Sequence, residues 1–120
     1  MNINTVVLAG RLTRDVDMRH TQTGTSIANI GLALNRRVKR GDDWVDEPVF
    51  VDVKLWGKRA EAFAQYHSKG SQACFPKCEL VLEQWEKEGE KRSKLVVHAE
   101  CWEFCGPKQE KSAGADEPAW

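Results

Sequence analysis

Phe50, Asp52, Lys54 and Trp56 alternate with Val49, Val51, Val53 and Leu55 along residues 49–56. In a strand, successive side chains point to opposite faces. The four aliphatic residues therefore share one face, which belongs to a core. The other face sets two large rings at the ends of a row with two charges between them. Charges are rarely buried unpaired, so this face meets water. Rings exposed beside charges suit single-stranded nucleic acid, because every base offers a flat π-face and stacking on it reads no sequence. Each stacked base contributes ~1–3 kcal/mol. The same rings also suit a loop or a second subunit packed over them, since exposed aromatics mark partner surfaces too. Residues 74–85 repeat the pattern, with Leu80 and Leu82 on one face and Val81, Glu83 and Trp85 on the other. Trp44 lies in an acidic stretch and is a weaker platform. Trp102 shares a face with His98 and Glu100, where it suits packing between subunits.

A nucleic-acid path also needs cations. The chain has 18 Lys+Arg and 18 Asp+Glu, a formal net charge of zero. The balance hides a pattern. Residues 11–40 hold Arg11, Arg14, Arg19, Arg36, Arg37, Lys39 and Arg40 against only Asp15 and Asp17. Residues 42–52 hold Asp42, Asp43, Asp46, Glu47 and Asp52 with no base. Local charge decides what a face binds, so a balanced total leaves room for a basic groove. Lys54, Lys58 and Lys87 complete the cations expected beside the rings.

Other chemistry finds less support. Cys74 and Cys78 are four apart, as are Cys101 and Cys105. Two residues four apart on a regular strand lie ~13 Å from each other, too far for one zinc at ~2.3 Å from each sulfur. The cysteines read as small reduced thiols, with a cross-strand disulfide as the alternative under oxidation. A hairpin centred near residues 89–90 would set Cys78 opposite Cys101 and Cys74 opposite Cys105. His20, His67 and His98 are scattered, and Gly24 and Gly57 form no phosphate loop. No enzyme, metal or cofactor is expected.

These residues need elements to position them. Residues 3–12 are apolar and β-branched and read as a first strand, residues 20–25 as a turn. Residues 27–34 form a second strand, with Gly31 marking a bulge or a close backbone approach. Residues 38–46 are charged and read as a hairpin loop before the third strand, 49–56. Residues 58–69 are a helix, with Ala60, Phe63, Ala64 and His67 on one face. Lys69 and Gly70 supply its stop. A fourth strand over 74–85 is disturbed by Pro76, which implies an edge or a bulge. A hairpin at 86–91 leads to a fifth strand, 95–104. From residue 106 the composition is that of a mobile tail. Hydrophobic residues make up 41% and charged residues 30%, which suits one globular domain over 1–105. No apolar run approaches the ~20 residues of a membrane span. Residues 1–12 have no charged stretch ahead of an apolar block, so no signal peptide is expected and the chain is placed in the cytoplasm, associated with the nucleoid. Three strands, a helix and two strands is the order of an OB-fold. The expectation is an all-β, five-stranded Greek-key barrel with one helix between strands 3 and 4.

Residues 4–15 (NTVVLAGRLTRD), 27–30 (IANI), 50–58 (FVDVKLWGK) and 69–72 (KGSQ), in this order, resemble bacterial single-stranded DNA-binding proteins. The resemblance covers about residues 4–106. It places the family's stacking aromatics on Phe50, Trp56 and Trp85, the positions that alternation selects. It implies a homotetramer that wraps single-stranded DNA in replication, recombination and repair. There are departures. Where the family often has a further ring after the second strand, this chain has Val38 among cations. Around Pro76 and Lys77 it is one residue longer, with Cys78 in place of a Gly. The tail, 106–120, is short and ends Asp116-Glu117-Pro118-Ala119-Trp120. The resemblance implies that Asp116, Glu117, Pro118 and Trp120 form a tip that recruits repair and replication proteins. The competing reading is an OB-fold adaptor of a primosome-like complex, whose exposed rings bind protein.

Overall fold

A computed structural model describes residues 1–105 of the chain. Its elements are β1 (Val6–Leu12), β2 (Asp17–His20), β3 (Ser26–Arg40), β4 (Asp43–Trp56), α1 (Lys58–Tyr66), β5 (Gln72–Lys87) and β6 (Glu90–Ala99). The strands run β1-β5-β6-β4-β3-β2 across the sheet, and β1 also pairs with β3. That extra pairing closes β1, β5, β6, β4 and β3 into the expected five-stranded barrel, with α1 between β4 and β5. The short β2, which the sequence leaves unassigned, hangs outside the ring on β3, with Asp17 opposite Asn29 and His20 opposite Ser26.

The core follows from alternation. Ala28, Ile30 and Leu32 of β3 face Val53 and Leu55 of β4, all at 1% exposure or less. Phe63 and Ala60 of α1 plug the barrel against Phe75, Ala73 and Leu12. Val49 belongs by parity to the same row as Val53, yet it is exposed, because β4 there has left the barrel. Residues 38–46 are strand and not loop. β3 and β4 stay paired out to Arg40 opposite Asp43, leaving a two-residue turn at Gly41 and Asp42. Val38 faces Val45, while Arg36 meets Glu47 and Arg37 meets Asp46. Opposite charges directly across a strand pair are favourable, so a polar composition here marks an arm reaching into water.

The second hairpin corrects the cysteine register. Its turn is Glu88 and Gly89, with φ of 53° and 80°, the pair of left-handed residues a two-residue hairpin turn takes. Lys87 therefore faces Glu90, and Cys78 faces Ala99 instead of Cys101. Cys74 bridges to Glu103 instead of Cys105. The expected bulge lies at Pro76. β1 residues Val6 and Leu8 are two apart, but their partners Cys78 and Phe75 are three apart. All four thiols are free. Burial, with the neighbouring Cys101 and Cys74, pushes the Cys78 thiol up to about 11.

The helix ends at Tyr66, three residues short of expectation. The His67 ring lies flat on Phe63, with centroids 3.9 Å apart, and its Nδ1–H donates to the Phe63 carbonyl at 2.9 Å. A side chain thus takes the carbonyl that the next helical turn would have used. Gly70, at φ +89°, serves the turn that follows. β6 ends at Ala99 and not at 104. Trp102 leaves the sheet to pack edge-on against Phe63 and His67, and its indole N–H donates to the Arg59 carbonyl at 3.1 Å. It holds α1 against the barrel within the chain.

Closure of the barrel depends on Gly10. A Cβ there would overlap the Ala33 carbonyl oxygen, a backbone atom of the β1–β3 seam. Backbone cannot step aside as a flexible side chain can. Gly10→Ala is expected to destabilise the fold by about 1–3 kcal/mol, measured as a lower midpoint in urea unfolding. An unchanged midpoint would mean that the seam tolerates a methyl group.

Candidate nucleic-acid interface

The outward face of β4 continues onto β3, β6 and β5 as a shallow trough. Phe50, with 69% of its surface exposed, and Trp85, with 45%, stand over two adjoining grooves. Both grooves are lined by Arg14, Asp52 and Lys94. The Trp85 groove adds Arg19, Asn29 and Lys54. Trp56, at the end of β4, is 36% exposed. It meets the His98 ring edge-on at a centroid distance of 4.5 Å. The three rings chosen by alternation therefore all lie outside the barrel.

The cations of the face are not bare. Arg14 lies 3.7 Å from Asp52, and Lys94 reaches the other oxygen of the same carboxylate. Arg19 pairs with Asp17 at 3.4 Å. Lys54 is bound to Glu83 at 2.8 Å, and His98 Nε2 lies 3.2 Å from that carboxylate. Lys54 thus fastens β4 to β5 beneath the rings. Its hydrogen bond holds the Glu83 carboxyl below its ordinary 4.5, against a smaller opposing effect of burial and with further help from His98.

The remaining expected cations are dispersed. Arg11 donates to the Gly70 carbonyl at 3.1 Å and lines a different groove, beside Gln72 and Cys105. Arg36, Arg37, Lys39 and Arg40 lie on the β3–β4 arm, opposite Glu47, Asp46, Trp44 and Asp43. Arg40 also reaches Glu47 at 2.7 Å. On the arm, three of the four bases read from the sequence, Arg36, Arg37 and Arg40, therefore lie opposite acids of the run that follows, while Lys39 lies opposite Trp44. Lys58 opens α1, and Lys87 sits at the tip of the β5–β6 hairpin. Trp44 is 57% exposed on the first arm. Val38 is buried, so the arm offers no ring at that place. The tip residues Asp116, Glu117, Pro118 and Trp120 lie outside the described residues.

Sequence reasoning missed Lys94, Arg92 and His98. The signal was hairpin register. With the turn at Glu88 and Gly89, Lys94 falls opposite Glu83 and Arg92 opposite Trp85. A turn placed one residue later hides both. Among the described residues, no group of three or more His, Cys, Asp or Glu is placed to hold a metal ion.

A closed five-stranded barrel with its helix after the third barrel strand, bearing rings and cations on one outer face, defines an OB-fold binding protein. The profile of the single-strand binding protein family matches residues 3–105, and the chain belongs to that family. It is 45% identical over 98 residues to the single-stranded DNA-binding protein of Treponema pallidum, covering 82% of this chain and 55% of that protein. It is 44% identical over 113 residues to that of Wolinella succinogenes, covering 92% and 69%. Among solved structures, a deletion mutant of the single-stranded DNA binding protein from Thermus aquaticus superposes with a TM-score of 0.75 at 33% identity. That match covers 84% of this chain and 49% of that one. The chain thus spans about half to two-thirds of the length of these relatives.

The Glu83 network has a pH signature. A carboxyl whose folded pKa lies below its unfolded value adds stability above the unfolded value and loses it as pH falls through the folded one. Glu83→Gln is expected to melt below the parent protein at pH 7, with the gap closing as the medium falls below pH 4.5. Thermal melts of the two proteins across pH check this, and a gap that persists in acid would contradict it.

Proposed function

We propose that the chain binds single-stranded DNA, as the names of its relatives say of those proteins, and that it does so without sequence preference. The observation that carries the reading is the exposure of Phe50, Trp56 and Trp85 on one cation-bearing face of an OB barrel. Bases stack on the rings, while Arg14, Arg19 and Lys94 in the trough meet phosphates. The cations of the β3–β4 arm extend the path, and Lys58, Lys87 and Arg11 add positive charge outside the trough. The role is protective and not enzymatic, in replication, recombination and repair, in the cytoplasm.

The protein acts as a homo-oligomer, a tetramer in this reading. Leu82 and Leu95 face one another across β5 and β6, with Leu80 two residues on, and all three are 45–62% exposed. A surface apolar to that degree supports self-association. The sequence of the acidic, aromatic tip at 116–120 supports recruitment of repair and replication proteins.

Titration with poly-dT is the decisive measurement. Stacking should quench the tryptophan fluorescence strongly, the affinity should fall as salt rises, and duplex DNA should bind weakly. Equal affinity for single and double strands would overturn the reading, and an unchanged fluorescence would favour a protein adaptor. Within the same assay, Phe50→Ala, Trp56→Ala and Trp85→Ala should each weaken binding by about 1–3 kcal/mol at an unchanged melting temperature, because they remove stacking and not core. Trp44→Ala should do less. A Trp56→Ala protein that fails to fold would mean that its ring belongs to the core.

A further inference from the structure

Asp52 occupies an unusual place in the trough. It projects from β4 between Phe50 and Lys54 and lies directly opposite Gly31 of β3. The missing side chain of Gly31 leaves room that the Arg14 guanidinium fills. A Cβ there would collide with Arg14 and with the Thr13 hydroxyl. Arg14 therefore crosses β3 and comes within 3.7 Å of one Asp52 oxygen. Lys94 reaches the other oxygen from β6. The side chains remain accessible, Arg14 at 51%, Lys94 at 54% and Asp52 at 31%.

We propose that Asp52 is an internal counterion that stands in for a backbone phosphate between Arg14 and Lys94, so that its displacement sets the affinity of this face for single-stranded DNA and the salt dependence of that affinity. Two cations on the two oxygens of one anion is the arrangement that the two free oxygens of a phosphodiester take. At Glu83 and Glu47 the carboxylate meets one full cation or a cation and a histidine. At Asp52 two full cations share one carboxylate, so the triad keeps a net positive charge. An approaching phosphate is attracted before any exchange occurs. Exchange then releases a carboxylate where it would otherwise release a salt ion, and the salt dependence is shallower than the number of cations implies. Because the groups are open to solvent, exchange needs only side-chain rotation.

The inference rests on the face being the DNA path, and the experiment separates the two claims. Asp52→Asn keeps the size of the side chain and removes its charge. The parent and the variant are titrated with oligo-dT by fluorescence at several salt concentrations, and with inorganic polyphosphate, which carries no bases, by calorimetry. The variant should bind oligo-dT roughly three- to tenfold more tightly at low salt, the effect of removing one like charge near a phosphate in water. Its logarithmic salt slope should steepen by about 0.7 for each cation freed, and polyphosphate should bind more tightly as well. Adding Lys94→Gln to Asp52→Asn should bring the slope back toward the parent. Asp52→Ser, with melts of every variant, guards against a local effect of the new amide. Weaker or unchanged binding of both ligands by a folded variant would overturn the proposal, since Asp52 would then merely orient its two cations. Tighter polyphosphate binding with no response of either protein to oligo-dT would uphold the counterion and overturn the DNA path.

Discussion

The register of β3 against β4 is the constraint on which the rest of the molecule depends. The pairing runs without interruption from Ile27 opposite Trp56 to Arg40 opposite Asp43. A slip of one residue would turn every side chain of one strand to the other face. In the observed register Ala28, Ile30 and Leu32 meet Leu55 and Val53 inside the barrel, and Phe50, Asp52 and Trp56 stay outside. The same register sets Gly31 opposite Asp52, which lets Arg14 cross β3, and it sets the basic half of the arm against the acidic half. The turn at Gly41 and Asp42 therefore determines core, exposed ring face and charge pairing together.

The electrostatics follow from that pairing. A chain of zero net charge would be a poor ligand for a polyanion if its charges were spread evenly. Here cations and acids are collected into facing rows along β3 and β4, and Arg14 and Lys94 line the grooves beside Phe50 and Trp85. Exposed ion pairs of this kind contribute about 0–1 kcal/mol each to stability, so they do not hold the barrel together. That falls to the aliphatic rows and to the aromatic cluster of Phe63, His67, Phe75 and Trp102. A surface whose ion pairs add little to folding can exchange them at little cost to the fold. Glu83 is the exception: it ties Lys54 and His98 together under Trp56 and keeps the ring platform in place.

The sequence by itself determined the strand order, the helix after the third barrel strand, and the outward rings at 50, 56 and 85. Alternation is a local property, and a period of two survives without knowledge of the partner strand. It also placed the close approach at Gly31 and the bulge at Pro76, because a missing Cβ and a missing N–H are written in the residue itself. Tertiary structure alone decided what lay across from what. Residues 38–46 read as loop because their polarity is visible and their partners are not. Cys78 faces Ala99, and Lys94 enters the trough, through a turn placed one residue earlier than composition suggests. The basic run read as a bare groove, but Arg36, Arg37 and Arg40 lie opposite acids of β4, Arg14 meets Asp52, and Arg19 meets Asp17. Trp102 turned back onto α1 because Phe63 and His67, far away in sequence, offered it an apolar edge and Arg59 a carbonyl. Faces are set by neighbours along the chain, whereas pairs are set by neighbours in space, and only the closed barrel brings those together.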